Sequence, residues 1–234
     1  MRLDKYISSC TTLSRNEVKK VIKKGVLVNN ILIKSPNFKV NEDDKVQVDG
    51  EILEYRKYIY IMLNKEKNVV SATQDARDKA VIDYLSDKDK ILATFPVGRL
   101  DKDTEGLILL TNNGDLAHNL LSPKKNIDKK YYVEVDGQLN SSIVDLFLQG
   151  VHIGDYKCKS SKLEIIFSSE EKSKAFITIS EGKFHQIKRM MKAVNLNVIY
   201  LKRLTIGNLV LDENLKLGEY RYLTKEEIEK IQNK

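Results

Sequence analysis

The sequence predicts an α+β protein in which a small basic domain precedes a larger domain built on a mixed, mostly antiparallel sheet flanked by helices. Two observations support this class. Near the N-terminus one amphipathic helix precedes a short hairpin, whereas further along the chain alternating strand patterns recur between separate helical segments. We predict a first domain over residues 1–49, a charged linker over residues 50–57 and a second domain over residues 58–234. With 41% hydrophobic residues, the chain can bury a sizeable core.

The overall charge favours a polyanionic partner. The 40 Lys and Arg residues exceed the 33 Asp and Glu residues, which gives a net charge of +7 and a pI near 9.1. The same balance also fits a protein that is merely basic. Cys10 and Cys158 have no CxxC pair or histidine cluster nearby, so neither a disulfide framework nor a zinc site is indicated. No apolar run approaches the roughly 18 residues of a membrane span, and we expect a soluble, cytoplasmic protein.

The first predicted helix has clear signals at both ends. Ser14 with Glu17 three residues later is the pattern of a capping box, and Gly25 follows the last turn. Between these ends, apolar residues recur at helical spacing: Val18, Val21 and Ile22. One face of this helix should therefore be buried.

The opposite face of this helix is basic. Residues 1–24 contain seven basic side chains against Asp4 and Glu17, a net charge of +5. A solvated helix face and a nucleic-acid contact are both consistent with such a stripe. The basic residues are Arg2, Lys5, Arg15, Lys19, Lys20, Lys23 and Lys24.

The residues after the helix favour nucleic-acid binding. Residues 25–33 have the pattern of a hairpin that turns at Asn29 and Asn30, and residues 43–48 alternate as one last strand. From residue 1 to about residue 48, the chain resembles an S4 RNA-binding domain. The resemblance implies that the basic residues named above bind phosphates of structured RNA and that the domain recognises the shape of this RNA. The affinity should then fall steeply as the salt concentration rises.

The second domain is predicted from recurring strand and helix patterns. An apolar strand opens it at residues 58–63. Further strands are predicted at residues 107–111, 130–135, 162–167 and 174–179. Helices are predicted at residues 80–85, 116–121, 142–148, 185–194 and 225–232.

The most informative segment is GRLDKDTEG, residues 98–106, which runs into the apolar residues 107–111. It places Asp101 on a glycine-flanked loop that enters a buried strand, where a catalytic carboxylate can be held rigidly. A turn-stabilising role for Asp101 is the alternative. Asp103 and Thr104 are typical of a turn that is stabilised by its own side-chain hydrogen bonds, so we expect a structural role for Asp103.

The residues GRLD followed by DTxGL closely resemble the active-site motif of pseudouridine synthases, in the branch that modifies 16S rRNA. In that family the matching aspartate is essential, so the resemblance implies that Asp101 either attacks the nucleotide covalently or abstracts its 2′ proton. The reaction needs an ionised carboxylate, a platform for the loose uracil and exclusion of water. It needs no metal and no organic cofactor.

The resemblance also assigns supporting residues. Arg99 lies two residues before Asp101, on the same side of an extended chain, and would fill the space left by the extruded base; a plain phosphate contact is the alternative. Tyr131 matches the tyrosine that stacks on the target uracil, although a strand tyrosine of this kind is usually a core residue. Lys188 would hold the catalytic carboxylate ionised, and Ile187 would wall the pocket.

The segment that contains Lys188 runs from a glycine turn into a basic helix. Its expected apolar stripe is Phe184, Ile187 and Met191. Lys183 and Arg189 are expected to contact phosphates or solvent. His185 is expected to pack or to contact RNA rather than to take part in catalysis.

The resemblance extends through residues 112–115, 121–123 and 217–221, and departs from the family at residues 64–68. There the chain reads NKEKN, without the usual proline, which leaves the local loop geometry in doubt.

The implied partner is 16S rRNA or an assembling small ribosomal subunit, with no membrane and no protein partner. The sequences of residues 101–106 and of residues 121–125, taken together, resemble this branch more than the enzymes that act on 23S rRNA. The alternatives are a related enzyme that acts on 23S rRNA and a non-catalytic S4 protein that binds rRNA. A carboxylate glycosidase is a remote alternative. Such an enzyme normally has two carboxylates that face the scissile bond, and it has no use for a basic docking module.

Overall fold

The computed structural model describes residues 1–232 and divides into two compact units. The first comprises Met1–Ile59 with Leu85–Thr94, and the second comprises Tyr60–Tyr84 with the chain from residue 95 onward. Residues 233–234, which end the second predicted domain, lie outside the described residues. Each unit has its own hydrophobic core.

The first unit packs two helices on a small sheet of strand order β2-β1-β3-β4. Its helices and strands are α1 (Leu3–Cys10), α2 (Arg15–Lys24), β1 (Val26–Val28), β2 (Ile31–Ile33), β3 (Val46–Val48), β4 (Glu51–Leu53) and, in the later segment, α3 (Asp87–Lys90). The capping box is confirmed: the Ser14 hydroxyl accepts from the Glu17 backbone N–H, and the Glu17 carboxylate accepts from that of Ser14. The hairpin is also confirmed, with both Asn29 and Asn30 in the left-handed conformation.

Two features of this unit differ from the sequence prediction. Residues 50–57 do not form a linker throughout, because β4 pairs antiparallel with β3 and Tyr55 packs against the ring of Tyr6. Helix α1 was not predicted, since it has only two turns, but its residues Leu3, Tyr6 and Ile7 are buried in the core. Both additions contribute side chains to the core of this unit.

The second unit is built on a sheet of eight strands within the described residues, of order β11-β12-β8-β13-β7-β5-β16, with β6 also paired to β7. The strands of this sheet are β5 (Tyr60–Lys65), β6 (Phe95–Pro96), β7 (Glu105–Thr111), β8 (Lys129–Asp136), β11 (Lys162–Ser168), β12 (Lys172–Ile179), β13 (Val198–Arg203) and β16 (Tyr220–Tyr222). The pair β7–β13 is parallel and the other pairs are antiparallel, which confirms the mixed, mostly antiparallel sheet.

Helices and two small hairpins complete the second unit. These are α4 (Gly114–Leu121), α5 (Ser141–Gln149), α6 (Gln186–Ala193), α7 (Lys225–Gln232), the hairpin of β9 (His152–Ile153) with β10 (Tyr156–Lys157), and the hairpin of β14 (Thr205–Ile206) with β15 (Leu209–Val210). The predicted helix at residues 80–85 is a single 3-10 turn, Val81–Tyr84. No helix in the described part of the chain is both long and apolar enough to cross a membrane.

Strand β13 was not predicted, and it fixes the position of β7. Gly106 has φ +103°, and a Cβ there would lie 2.3 Å from the backbone oxygen of Arg203. Only glycine therefore allows these strands to approach so closely. The guanidinium of Arg203 then donates from Nε to the backbone oxygen of Leu107 at 2.8 Å. These contacts anchor the start of β7, directly after the loop that carries Asp101.

Candidate active site

An open cavity of about 90 Å³ lies at one end of β8, between the loop before β7 and the turn before α6. The predicted site residues that line it are Arg99, Asp101, Tyr131, Lys183, Ile187 and Lys188. The structure thus brings together side chains that are spread over 90 positions of the sequence. We call residues 98–104 the aspartate loop and residues 180–185 the glycine turn.

The backbone of the aspartate loop is held by buried polar side chains. Lys65 is fully buried and donates from Nζ to the backbone oxygens of Lys102 at 3.2 Å and Thr104 at 2.7 Å, as well as to that of Glu66 at 2.9 Å. The hydroxyl of Ser71 both donates to and accepts from the backbone of Leu100. Burial lowers the pKa of Lys65 to about 8, although nearby carboxylates counteract this shift.

The departure from the family at residues 64–68 does not free this loop. Asn68 takes a left-handed conformation at φ +65°, and its backbone N–H donates to the backbone oxygen of Lys102 at 2.8 Å. Glu66, which replaces the proline, accepts a hydrogen bond from the hydroxyl of Tyr84. Other contacts therefore stabilise the turn that proline would otherwise stiffen.

Asp101 lies beside two basic side chains. The Nζ of Lys188 is 3.0 Å from Oδ2 of Asp101, and Nε2 of His185 is 3.6 Å from Oδ1. The predicted placement of Lys188 beside the carboxylate is therefore present in the structure. His185 also lines the cavity, which the sequence reasoning did not foresee.

Asp103 is not confined to the turn that the sequence predicted. Its Oδ1 accepts from the Nζ of Lys188 at 2.5 Å, while the turn itself is closed by the Thr104 backbone N–H donating to the backbone oxygen of Asp101. Partial burial opposes ionisation of Asp103, but the hydrogen bond and the positive charge of Lys188, with smaller contributions from other nearby groups, together lower the pKa of Asp103. The two carboxylates also raise the pKa of Lys188 against its partial burial. One lysine thus bridges both carboxylates.

Tyr131 and Arg99 reach the cavity from different elements. Along β8 the residues Tyr131 and Val133 are buried while Lys130 and Tyr132 are partly exposed, as the alternation predicted. Tyr131 is 7% exposed, packs in the core and also lines the cavity, so it is a core residue that can reach a bound base. Arg99 lines the cavity together with Asp101, as expected for residues two apart on one side of the chain.

The glycine turn is held by a buried carboxylate. Glu181 accepts from the Nε2 of Gln186 at 2.8 Å, from the hydroxyl of Tyr156 at 2.6 Å and from the backbone N–H of Lys159 at 3.0 Å. Gln186 also binds the turn directly, because its Oε1 accepts a hydrogen bond from the backbone N–H of Lys183. Neither Glu181 nor Gln186 was predicted; both residues are polar and buried, which sequence alone does not reveal.

One expectation for this segment is corrected. Phe184 is not in the apolar stripe: α6 begins after it, Met190 fills the stripe with Ile187 and Met191, and Phe184 is 76% exposed. Arg189 is exposed, and its Nη2 also donates to the backbone oxygen of Ile153 at 2.7 Å, so its contact with phosphates stays a prediction. Lys183 keeps its expected position at the cavity, with Nζ 4.3 Å from the centre of the Tyr156 ring.

The basic residues of the first unit are exposed. They lie on the surface of α1 and α2 and next to them, while Val18 and Ile22 of α2 are buried. The guanidinium of Arg2 donates two hydrogen bonds to the carboxylate of Asp4, at 3.0 and 2.6 Å, so an RNA phosphate would compete with Asp4 for it. The exposed set is Arg2, Lys5, Arg15, Lys19, Lys20, Lys23 and Lys24.

The fold and the site define an enzyme that holds one carboxylate beside a fixed cation in an open cavity, in a chain whose first unit exposes a basic helix. Residues 59–193 match the sequence model of RNA pseudouridylate synthase, and residues 1–46 match that of the S4 domain. The chain belongs to the RNA pseudouridylate synthase family. It is an isomerase that acts on RNA, which confirms the prediction.

Relatives match over the full length. The chain is 46% identical to an RNA pseudouridine synthase of Bacillus subtilis, over 97% of each chain. It is 36% identical to ribosomal small subunit pseudouridine synthase A of Vibrio parahaemolyticus, over all of both chains. A crystal structure of a pseudouridylate synthase aligns with a TM-score of 0.70 and 34% identity, covering 99% of each chain. The arrangement of an S4 domain before a synthase domain is thus confirmed.

Proposed function

We propose that this enzyme isomerises one uridine of 16S rRNA to pseudouridine and that Asp101 is its essential residue. The similarity to a small-subunit synthase over the whole chain supports the choice of RNA. In this reaction the bond between C1′ and N1 breaks, the uracil turns, and C5 bonds to C1′. The proton on C5 is lost and N1 gains one, so no oxidant or acceptor group is required.

The geometry of Asp101 carries the proposal. Its Oδ2 is held by Lys188 at 3.0 Å, whereas Oδ1 is 3.6 Å from His185, which is longer than a hydrogen bond. This ion pair fixes the position of the carboxylate in the cavity. Oδ1 is thereby left to act on the nucleotide, either by attack or by abstraction of the 2′ proton.

The other cavity residues handle the flipped base. Tyr131 presents its ring to the cavity from a rigid strand, which suits stacking on the loose uracil. Ile187, buried on α6, closes the wall against water. Arg99 would occupy the gap that the extruded base leaves in the RNA, which offsets part of the lost stacking.

The first unit supplies the docking surface. Its exposed lysines and arginines can bind the phosphates of folded rRNA, free or in an assembling small subunit, with Lys183 adding a contact near the cavity. Binding of this kind should weaken steeply as salt is raised. We place the reaction in the cytoplasm, where ribosomal subunits assemble.

The test is release of tritium from uracil C5, because the new C5–C1′ bond expels this hydrogen. Purified enzyme is incubated with labelled 16S or 23S rRNA, each free or in partly assembled subunits. We expect release from 16S rRNA and none with Asp101→Asn. Asp145→Asn serves as the matched control, since Asp145 is exposed on α5 and does not line the cavity.

Each other outcome has a clear meaning. Release from 23S rRNA alone would retain the reaction and overturn the proposed substrate. Release that persists in Asp101→Asn would overturn the role of Asp101. No release from any RNA would favour a protein that binds rRNA without modifying it.

A further inference from the structure

Phe184 is the most exposed large apolar side chain in the part of the chain that the structure describes, at 76%. Its ring stacks on the imidazole of His185, with centroids 3.8 Å apart and an interplanar angle of 17°. One face of the phenyl ring is therefore covered by His185, and the other face is open. The stack gives the exposed ring a defined orientation.

This stacked pair lies next to the reacting carboxylate. The Nε2 of His185 is 3.6 Å from Oδ1 of Asp101, and both Lys183 and His185 line the cavity. His185 takes a left-handed backbone conformation at φ +49°, which is uncommon outside glycine and carries a cost. The chain thus adopts an unfavourable conformation at the residue that supports the ring.

The ring is not required to hold the glycine turn. That turn is stabilised by Glu181 and Gln186 through bonds that do not involve Phe184. The buried stripe of α6 is also complete without it. The exposed position of Phe184 is therefore unexplained by the stability of the fold.

We propose that Phe184, backed by His185, is a stacking subsite for the base next to the flipped uridine. When a base leaves the stack, its neighbour loses a stacking partner, and a flat apolar ring can replace that partner for any base. The neighbouring Lys183 is placed to contact a phosphate. This inference rests on the proposed function, because it concerns the same RNA at the same cavity.

The experiment removes the ring and the base in turn. A synthetic RNA hairpin is built around the uridine that pseudouridine mapping identifies, with an abasic nucleotide on either side of that uridine in separate molecules. Wild-type enzyme is compared with Phe184→Leu, Phe184→Tyr and the control Phe167→Leu. Phe167 is also exposed, at 51%, and pairs with Lys174, roughly 17 Å along β12 from the cavity residue Ile179.

We expect Phe184→Leu to lower kcat/KM about tenfold on the intact hairpin, and Phe184→Tyr and Phe167→Leu to stay within about twofold. One abasic hairpin should lower kcat/KM of the wild type by a similar factor and leave that of Phe184→Leu almost unchanged. Equal penalties in both enzymes, or wild-type kinetics of Phe184→Leu, would overturn the subsite. Since the wild type must form pseudouridine in every arm, failure of the proposed function would be seen separately.

Discussion

The aspartate loop and the glycine turn both line the cavity, but different kinds of group hold them. Buried side chains bind the aspartate loop through its backbone: Lys65 to the backbone oxygens of Lys102 and Thr104, and Ser71 to Leu100. The glycine turn is held largely by a side chain of its own, Glu181. A loop bound by its backbone keeps its side chains available for chemistry, whereas the turn uses its carboxylate for stability and leaves Lys183 and Phe184 facing outward.

The largest effect is expected from Lys65→Met, which removes the cation that holds the aspartate loop. Three backbone oxygens around the buried Lys65 side chain would lose their hydrogen-bond donor, so the free energy of unfolding of the protein should fall by about 3 to 5 kcal/mol. Activity should fall about 100-fold because the loop shifts. Chemical denaturation and tritium release measure the two effects. The exposed neighbour Lys67→Met is the control, and equal behaviour of the two variants would contradict this role.

The pKa of Lys65 gives this variant a pH signature. Between its folded pKa of about 8 and its unfolded value of 10.5, the unfolded chain binds a proton that the folded chain has lost. Stability from this group therefore rises with pH through that window. The stability difference between wild type and Lys65→Met should widen by up to about 3 kcal/mol from pH 8 upward. A difference that narrows over the same range would contradict it.

Lys188→Met comes next, because Lys188 reaches from α6 to both carboxylates of the aspartate loop. We expect kcat to fall roughly 10- to 100-fold, since Asp101 loses the cation that orients it. Lys188→Arg should retain most activity, and Lys192→Met, an exposed lysine on the same helix, should match the wild type. Single-turnover kinetics with saturating enzyme measure the effect. Similar losses in Lys188→Met and Lys192→Met would rule out a specific role.

Glu181→Ala tests the other loop. It leaves Gln186, the Tyr156 hydroxyl and the Lys159 backbone N–H without their acceptor, so unfolding free energy should fall by about 2 kcal/mol. Activity should fall about tenfold, because Phe184 and Lys183 lose their positions. The exposed Glu170→Ala is the control in both assays. If only activity fell, with stability unchanged, Glu181 would act on the substrate instead of the turn.

The smallest effect is expected from Asp103→Asn. The pKa of Asp103 is lowered in the folded state, so its contribution to stability is present above the unfolded pKa near 4 and is lost as the pH falls through the folded value. Its carboxylate is 65% exposed, so the loss above pH 4 should be below about 1 kcal/mol. Activity should fall about threefold through Lys188. Denaturation at pH 3 and pH 6 tests this, and an equal loss at both would contradict it.

Several features that involve only residues close together in the chain were predicted correctly from the sequence. The capping box at Ser14, the hairpin at Asn29 and Asn30 and the alternation around Tyr131 depend on hydrogen bonds and periodicity between near neighbours. The expectation for Phe184 was wrong because helical spacing was extended to a residue that lies two positions before the start of α6 at Gln186. The prediction of a linker at residues 50–57 was wrong because the three-residue strand β4 lies among charged residues and is too short for its pattern to be distinguished from a loop.

The sequence by itself determined the class of protein, its two modules and several of the residues that meet at the cavity, because its motifs specify those side chains directly. Only the tertiary structure decided how they are used. The parallel pairing of β13 with β7, the hold of Lys65 on the aspartate loop and the sharing of Lys188 between Asp101 and Asp103 join positions about 40 to 100 residues apart. Such contacts depend on packing of the whole sheet, and no local pattern encodes them.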